Sequence, residues 1–361
     1  MSNRSKLLIA CYFTLLAQLS LPAKAAATGQ ATGAESYCES SPSPFDQDAE
    51  KLELDMRYPK GQQSMLGEGM VLLGFTVNTA GAVNDIWLID IIGAPIFAHA
   101  AAGSLAKAKY TPAIRSGSPV VAQREIQFQY QIEGQNRAGV HALVGANYDR
   151  AQAFRANGDF KRSVEKLKES LKLTLNLYEY ALASYGLTVS YIGLNDHRRA
   201  LFHARHAATS NAQFTDKGQR RSTFAMLSEL EARDNNFRAS LCAYERLKKL
   251  YPDYQPSAHL QDLLALSARE LSATTHVRSN VELVETERED LPTMWKHPML
   301  RRTFQFSNVE GNLANYRLVC PALKSVEKFP ISRTVDVDPT AGQCTIYVFG
   351  DAGAKFAFDE K

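Results

Sequence analysis

The chain has 361 residues, 45% of them hydrophobic and 22% charged, enough for two or three domains that each bury a core. Its net charge of +3 is concentrated at the start, in Arg4, Lys6 and Lys24. Removing those three cations leaves zero, which argues against the basic footprint that nucleic-acid binding requires.

Taken in order, the first element is an export signal. Arg4 and Lys6 precede the apolar stretch Leu7 to Leu21, and Ala23-Lys24-Ala25 supplies a small–x–small cleavage pattern, so residues 1–25 read as a signal peptide. The apolar stretch is shorter than the roughly 20 residues of a comfortable membrane span, and no later segment reaches that length. Residues 26–55, rich in small, polar and acidic residues, read as a flexible linker.

The stretch GFTVNTAGAVNDIWLID, residues 74–90, alternates on both sides of a polar break at Asn78-Thr79-Ala80-Gly81, which predicts a hairpin of strands near Met70–Val77 and Val83–Ile91. Pro95 then opens a helix whose Phe97, Ala101, Leu105 and Ala108 share a face. Residues 121–132 return to alternation, with Ile126, Phe128 and Tyr130 opposite Glu125, Gln127 and Gln129. A ββαβ module over residues 56–132 follows.

From residue 140 to 276 the pattern is helical. FRANGDFKRSVEKL, SYIGLNDHRRALFHA and LEARDNNFRASLCAYERL align with Gly158, Asn195 and Asn235 at one position, spaced by 37 and 40 residues. Gly and Asn tolerate the left-handed backbone of a tight turn, and an apolar stripe resumes after each: Val164, Leu167 and Leu171; Leu201, Ala204 and Ala208; Leu241, Tyr244 and Leu247. These segments resemble degenerate tetratricopeptide repeats, whose usual period is about 34 residues. Residues 295–361 are predicted to form an antiparallel β domain from TFQFS, YRLVC, RTVDVD, CTIYVFG and AKFAF. The fold class is α+β, multidomain.

Export permits disulfides. Cys320 and Cys344 share the β-rich region and are the expected pair, a closure that would contribute about 3–4 kcal/mol. Cys242 reads as a buried, free thiol, and the state of Cys38 is open. His197, His203 and His206 invite a metal reading, but no carboxylate or cysteine completes a ligand set, so a solvated basic helix is expected and no metal site. No nucleophile elbow, phosphate loop, His-Glu-x-x-His or Cys-x-x-Cys pattern is present, so neither catalysis nor a cofactor is expected.

Residues 57–130 resemble the C-terminal domain of the TonB family. Tyr58-Pro59, Gly69, FTVNTAGAV, Ala100-Ala101 and KYTPAIRSGSPV carry the resemblance, with Tyr110, Pro112, Ala113, Gly117, Pro119 and Val120 at family positions. Ile91-Ile92-Gly93 departs from the family's Ser-Ser-Gly, and Lys109-Tyr110 from its tryptophan. The resemblance implies docking by β-strand addition on the strand 121–132, with Tyr58, Pro59, Arg124, Gln127 and Gln129 as partner-binding residues. The implied partner is an outer-membrane TonB-dependent receptor or another envelope protein, met in the periplasm. Two alternatives are a membrane-anchored energy transducer that keeps residues 7–22 as its anchor, and an envelope scaffold in which the module forms a homodimer. The leader contains no histidine, the polar residue with which such an anchor engages its motor.

Overall fold

The computed structural model describes residues 37–38, 42–62, 64–132, 140–209, 216–273, 275–286, 288, 290–331 and 333–361. The leader expected at 1–25 lies outside them. Among the described residues no helix is long and apolar enough to cross a membrane.

The first module comprises β1 (Lys51–Glu53), β2 (Gly69–Val77), β3 (Val83–Ile92), α1 (Ile96–Leu105), β4 (Lys109–Tyr110), β5 (Ala113–Arg115), β6 (Ser118–Val120) and β7 (Ala122–Tyr130). Strands β3, β2 and β7 form an antiparallel sheet in that order, with β7 at one edge. Phe97, Ala101 and Leu105 of α1 pack on Val71, Leu73, Phe75, Phe128 and Tyr130. Gly81 takes φ 80° in the hairpin turn, where a Cβ would stand 2.1 Å from the carbonyl oxygen of Tyr110, so glycine is required both by conformation and by space.

The linker expected over 26–55 is, from residue 42, part of this module. Phe45 is buried against Ala113 and Ala122, and Asp46 N–H donates to the Ile114 carbonyl at 2.8 Å. Strand β1 pairs with β4. Composition suggested a tether, but the isolated Phe45, Ala49 and Leu54 each find apolar partners, and backbone pairing does not depend on side-chain polarity.

Seven helices follow among the described residues: α2 (Ala142–Ala156), α3 (Phe160–Leu173), α4 (Leu177–Gly193), α5 (His197–Thr209), α6 (Lys217–Arg233), α7 (Phe237–Leu250) and α8 (Ala258–Ser272). The turns α2–α3, α4–α5 and α6–α7 share one geometry. Gly158, Asn195 and Asn235 take φ 75°, 60° and 59°. The residue after each donates its N–H back across the helix end: Asp159 to the Phe154 carbonyl, Asp196 to Tyr191 and Asn236 to Glu231, each at 2.9 Å. That six-residue closure satisfies carbonyls that the helix end leaves unpaired. Successive pairs meet on small polar residues, such as Ser163 of α3 and Ser190 of α4, whose hydroxyls lie 2.8 Å apart.

The last module is a sandwich of two antiparallel sheets. Its strands are β8 (Val277–Glu282), β9 (Met294–Pro298), β10 (Thr303–Glu310), β11 (Leu313–Cys320), β12 (Leu323–Lys328), β13 (Val335–Asp336), β14 (Thr345–Gly350) and β15 (Lys355–Glu360). The sheet orders are β13-β10-β15-β8 and β12-β11-β14-β9. Between the sheets lie Phe304, Phe306, Phe356 and Phe358 from one, and Tyr316, Leu318, Ile346 and Val348 from the other. Strand β8 thus begins ahead of the expected start at 295. Cys320, the last residue of β11, is joined to Cys344, just ahead of β14. Cys242 is not free: it is joined to Cys38, 204 residues earlier, which ties the segment before the first module to α7.

Candidate functional site

The candidate site is the outer edge of β7. Successive backbone groups of a strand point to alternate sides. Gln123 N–H points away from β2, since it donates to the Pro321 carbonyl at 2.9 Å. By that alternation Glu125, Gln127 and Gln129 also direct N–H and C=O outward, while Arg124, Ile126 and Phe128 face the ladder to β2. Among the described residues nothing is bonded to the outward backbone groups of Glu125, Gln127 and Gln129.

The two ends of the edge are held. At the start, Gln123 Nε2 donates to the Leu323 carbonyl at 2.5 Å, joining β7 to β12. Glu125 Oε1 accepts from the Tyr347 hydroxyl at 2.5 Å, and Lys296 Nζ lies 3.5 Å from Oε2. Burial, then the Glu125 charge, pushes the Tyr347 hydroxyl well above the usual tyrosine range, so it stays a donor. At the far end the buried Glu68 carboxylate accepts from Ile132 N–H and Leu177 N–H, both at 3.0 Å, which fixes the end of the strand to α4.

The sheet face opposite α1 is covered as well. Trp87 of β3 meets Tyr347 edge-on at 4.6 Å, and the Arg317 guanidinium lies 4.7 Å over the Trp87 ring while Nη1 binds Asp85 at 2.7 Å. Gly74 makes room, because a Cβ there would stand 2.3 Å from Trp87 Nε1. Further along, Met70 and Ile92 pack on Leu177 and Tyr180. His206 Nε2 lies 2.9 Å from both carboxylate oxygens of Asp90. Burial opposes the Asp90 charge, but His206, the Ile91 N–H and Arg288 together outweigh it and hold the carboxyl below its ordinary range. The run GMVLLGF reads, in retrospect, as a strand buried on both faces, which is the signal for this cover.

The five residues expected to bind a partner separate into two groups. Tyr58 packs edge-on against Phe97 at 5.9 Å and Tyr130 at 5.6 Å, its hydroxyl donates to the Gly67 carbonyl, and Pro59 is buried. Both belong to the core's entry, not to the edge. Arg124 is not on the face of Gln127 and Gln129. It pairs with Asp48, lies 5.5 Å over Phe45, and burial lowers its pKa to about 10, which leaves it charged at neutral pH. Gln127 and Gln129 do stand at the edge, half-buried, with Gln129 Nε2 donating to Gln131 Oε1 at 2.7 Å. Sequence reasoning missed Gln123 and Glu68. A glutamate just ahead of a strand of apolar residues was the available sign of the second.

The histidines also differ from expectation. His203 and His206 are buried, not solvated, because the α5 face that carries them is pressed against α4 and the first module. His203 stacks on Tyr191 with ring centroids 5.7 Å apart, and among the described residues no group of three metal-ligating side chains assembles.

Comparison with known proteins bears on the first module alone. The family model described as Gram-negative bacterial TonB protein C-terminal matches residues 55–132. No curated protein matches the chain. Among solved structures, the solution NMR structure of the Pseudomonas aeruginosa TonB C-terminal domain is 27% identical, the alignment covering 25% of this chain and 93% of that one with a TM-score of 0.23. Residues 55–132 thus match the TonB C-terminal domain family, within a longer α+β chain.

Proposed function

We propose that this chain is an exported, non-catalytic envelope protein that docks an extended segment of a partner on the outer edge of β7, in TonB-linked transport across the outer membrane. One observation carries the reading. Both faces of the sheet are covered and both ends of β7 are held, yet the outward backbone groups of Glu125, Gln127 and Gln129 stay open. An open edge between fixed ends is a preorganised template for a short added strand, whose main-chain hydrogen bonds give affinity with little demand on side chains. Gln127 and Gln129 flank the added strand, and Arg124 acts through the fold. The partner is an outer-membrane TonB-dependent receptor or another envelope protein.

The test is calorimetric titration with an extended receptor-segment peptide. Gln127→Pro removes one outward N–H and leaves the ladder to β2 intact, so binding falls about tenfold or more while the melting temperature barely moves. Peptide binding that ignores Gln127→Pro sinks strand addition. A native chain that is dimeric, and a Gln127→Pro chain that is monomeric, would instead assign the edge to self-association.

A further inference from the structure

A second site lies on the helical array. Tyr148, Gln152 and Arg155 of α2, Tyr185 and Val189 of α4, and Gln219 of α6 line a cavity of about 450 Å³. These are the first helices of three successive pairs, so the cavity is a groove running across the array, not a gap within one pair. No aspartate or glutamate lines it.

Several of the array's arginines are held by a carboxylate, and Arg155 is not one of them. Arg162 pairs with Asp159, Arg199 with Asp196, Arg205 with Glu231 and Arg233 with Glu229. Arg155 has no carboxylate among the described residues. Its Nη1 donates to the Ser163 hydroxyl at 3.4 Å, and its guanidinium lies 5.5 Å over the Tyr148 ring. Gln219 Nε2 donates to the Tyr148 hydroxyl oxygen at 3.4 Å. Burial pushes that hydroxyl up to about 12, so it keeps a proton to donate. The groove therefore gathers a guanidinium, a phenol and two amides between aromatic and aliphatic walls, with no internal anion.

We infer that this groove binds an acidic, extended polypeptide segment, seating a carboxylate on Arg155 and apolar side chains against Tyr148, Tyr185 and Val189. A planar guanidinium takes a carboxylate through two parallel hydrogen bonds, and a half-buried one loses less to water on doing so. Three helices at about 8–10 Å spacing give a groove on the order of 20 Å, room for about six extended residues. The site is separate from the β7 edge and does not depend on it.

The probe is a fluorescein-labelled peptide of alternating Glu and Leu residues, titrated by anisotropy into the full chain beside the same peptide with Gln for Glu. The acidic peptide should saturate, weaken as salt is raised, and lose about tenfold or more in Arg155→Gln, the effect of removing a charge-assisted hydrogen bond. Gln152 is exposed, so Gln152→Glu keeps the fold and should repel the same peptide. Gln127→Pro on β7 should leave this binding unchanged. Equal binding of the Gln peptide, indifference to both groove substitutions, or no saturation would overturn the inference. Inorganic phosphate that displaces the peptide equally in native chain and Arg155→Gln would place the peptide elsewhere. Phosphate that binds alone through Arg155 while the peptide does not would make the groove a small-anion site and remove the polypeptide assignment.

Discussion

The outer edges of β7 and β8 pose the same problem and receive different treatment. Each strand alternates polar and apolar residues, and each ends a sheet. The edge of β8 is capped by side chains of the helical array: Arg198 Nη2 donates to the Asn280 carbonyl at 3.1 Å, and Asn235 Nδ2 to the Arg278 carbonyl at 3.3 Å. The edge of β7 is bonded at Gln123 and left open beyond it. Unpaired edges invite unwanted pairing, and proteins generally blunt them. One edge is thus blunted by side chains from another module and the other is left open and fixed at both ends, the contrast on which the proposed docking rests.

Substitutions that sharpen this contrast differ in size. Phe128→Pro should be the most severe, since it removes a ladder bond to β2 and a buried ring together, at about 4 kcal/mol or more by urea unfolding. Its neighbour Gln127→Pro should lower stability by less than about 1 kcal/mol. Equal losses would mean that the backbone of β7 does not alternate as described. Glu68→Ala leaves the Ile132 and Leu177 N–H groups without an acceptor in a buried place, and about 3 kcal/mol should be lost.

Acid should loosen the β8 side selectively. Arg278 of β8 holds Asp359 of the adjacent β15, with His276 and Ser307 adding hydrogen bonds, so the carboxyl sits at about 2 against an ordinary 3.8. A carboxyl depressed in the folded state stabilises fully above its unfolded pKa and loses that contribution as pH falls through the folded value. Stability of about 2 kcal/mol should therefore disappear between about pH 4 and pH 2. In Asp359→Asn this part of the acid dependence should be absent; an unchanged pH profile would contradict the assignment. The caps should matter less than either carboxylate. Arg198→Ala and Asn235→Gly, the latter keeping the left-handed turn, should cost about 1 kcal/mol each. With both caps gone, sedimentation should reveal new self-association through β8, and a chain that stays monomeric would show that the caps do not guard this edge.

What the sequence determined by itself were features whose cause is local. Gly158, Asn195 and Asn235 could be aligned in advance because a tight helix–helix turn needs a left-handed residue, and few residue types supply one. The hairpin around Gly81 and the face of α1 were legible for the same reason, in turn chemistry and periodicity. Among the strands after residue 276, the central β10, β11, β14 and β15 and the edge strand β13, within RTVDVD, carry recognisable patterns, while the unrecognised β8, β9 and β12 all lie at sheet edges. An edge strand is paired on one side only, so its pattern is diluted.

Tertiary structure decided what depends on distant partners. Cys242 meets Cys38, His206 meets Asp90, Glu68 meets Leu177, and Arg124 turns to Asp48 instead of standing beside Gln127. None of these pairings has a local sequence signature, because each follows from how separate modules pack. The open edge itself is such a result: residues 121–132 announce a strand, but only the placement of β12, β14 and α4 around it determines which of its backbone groups stay free.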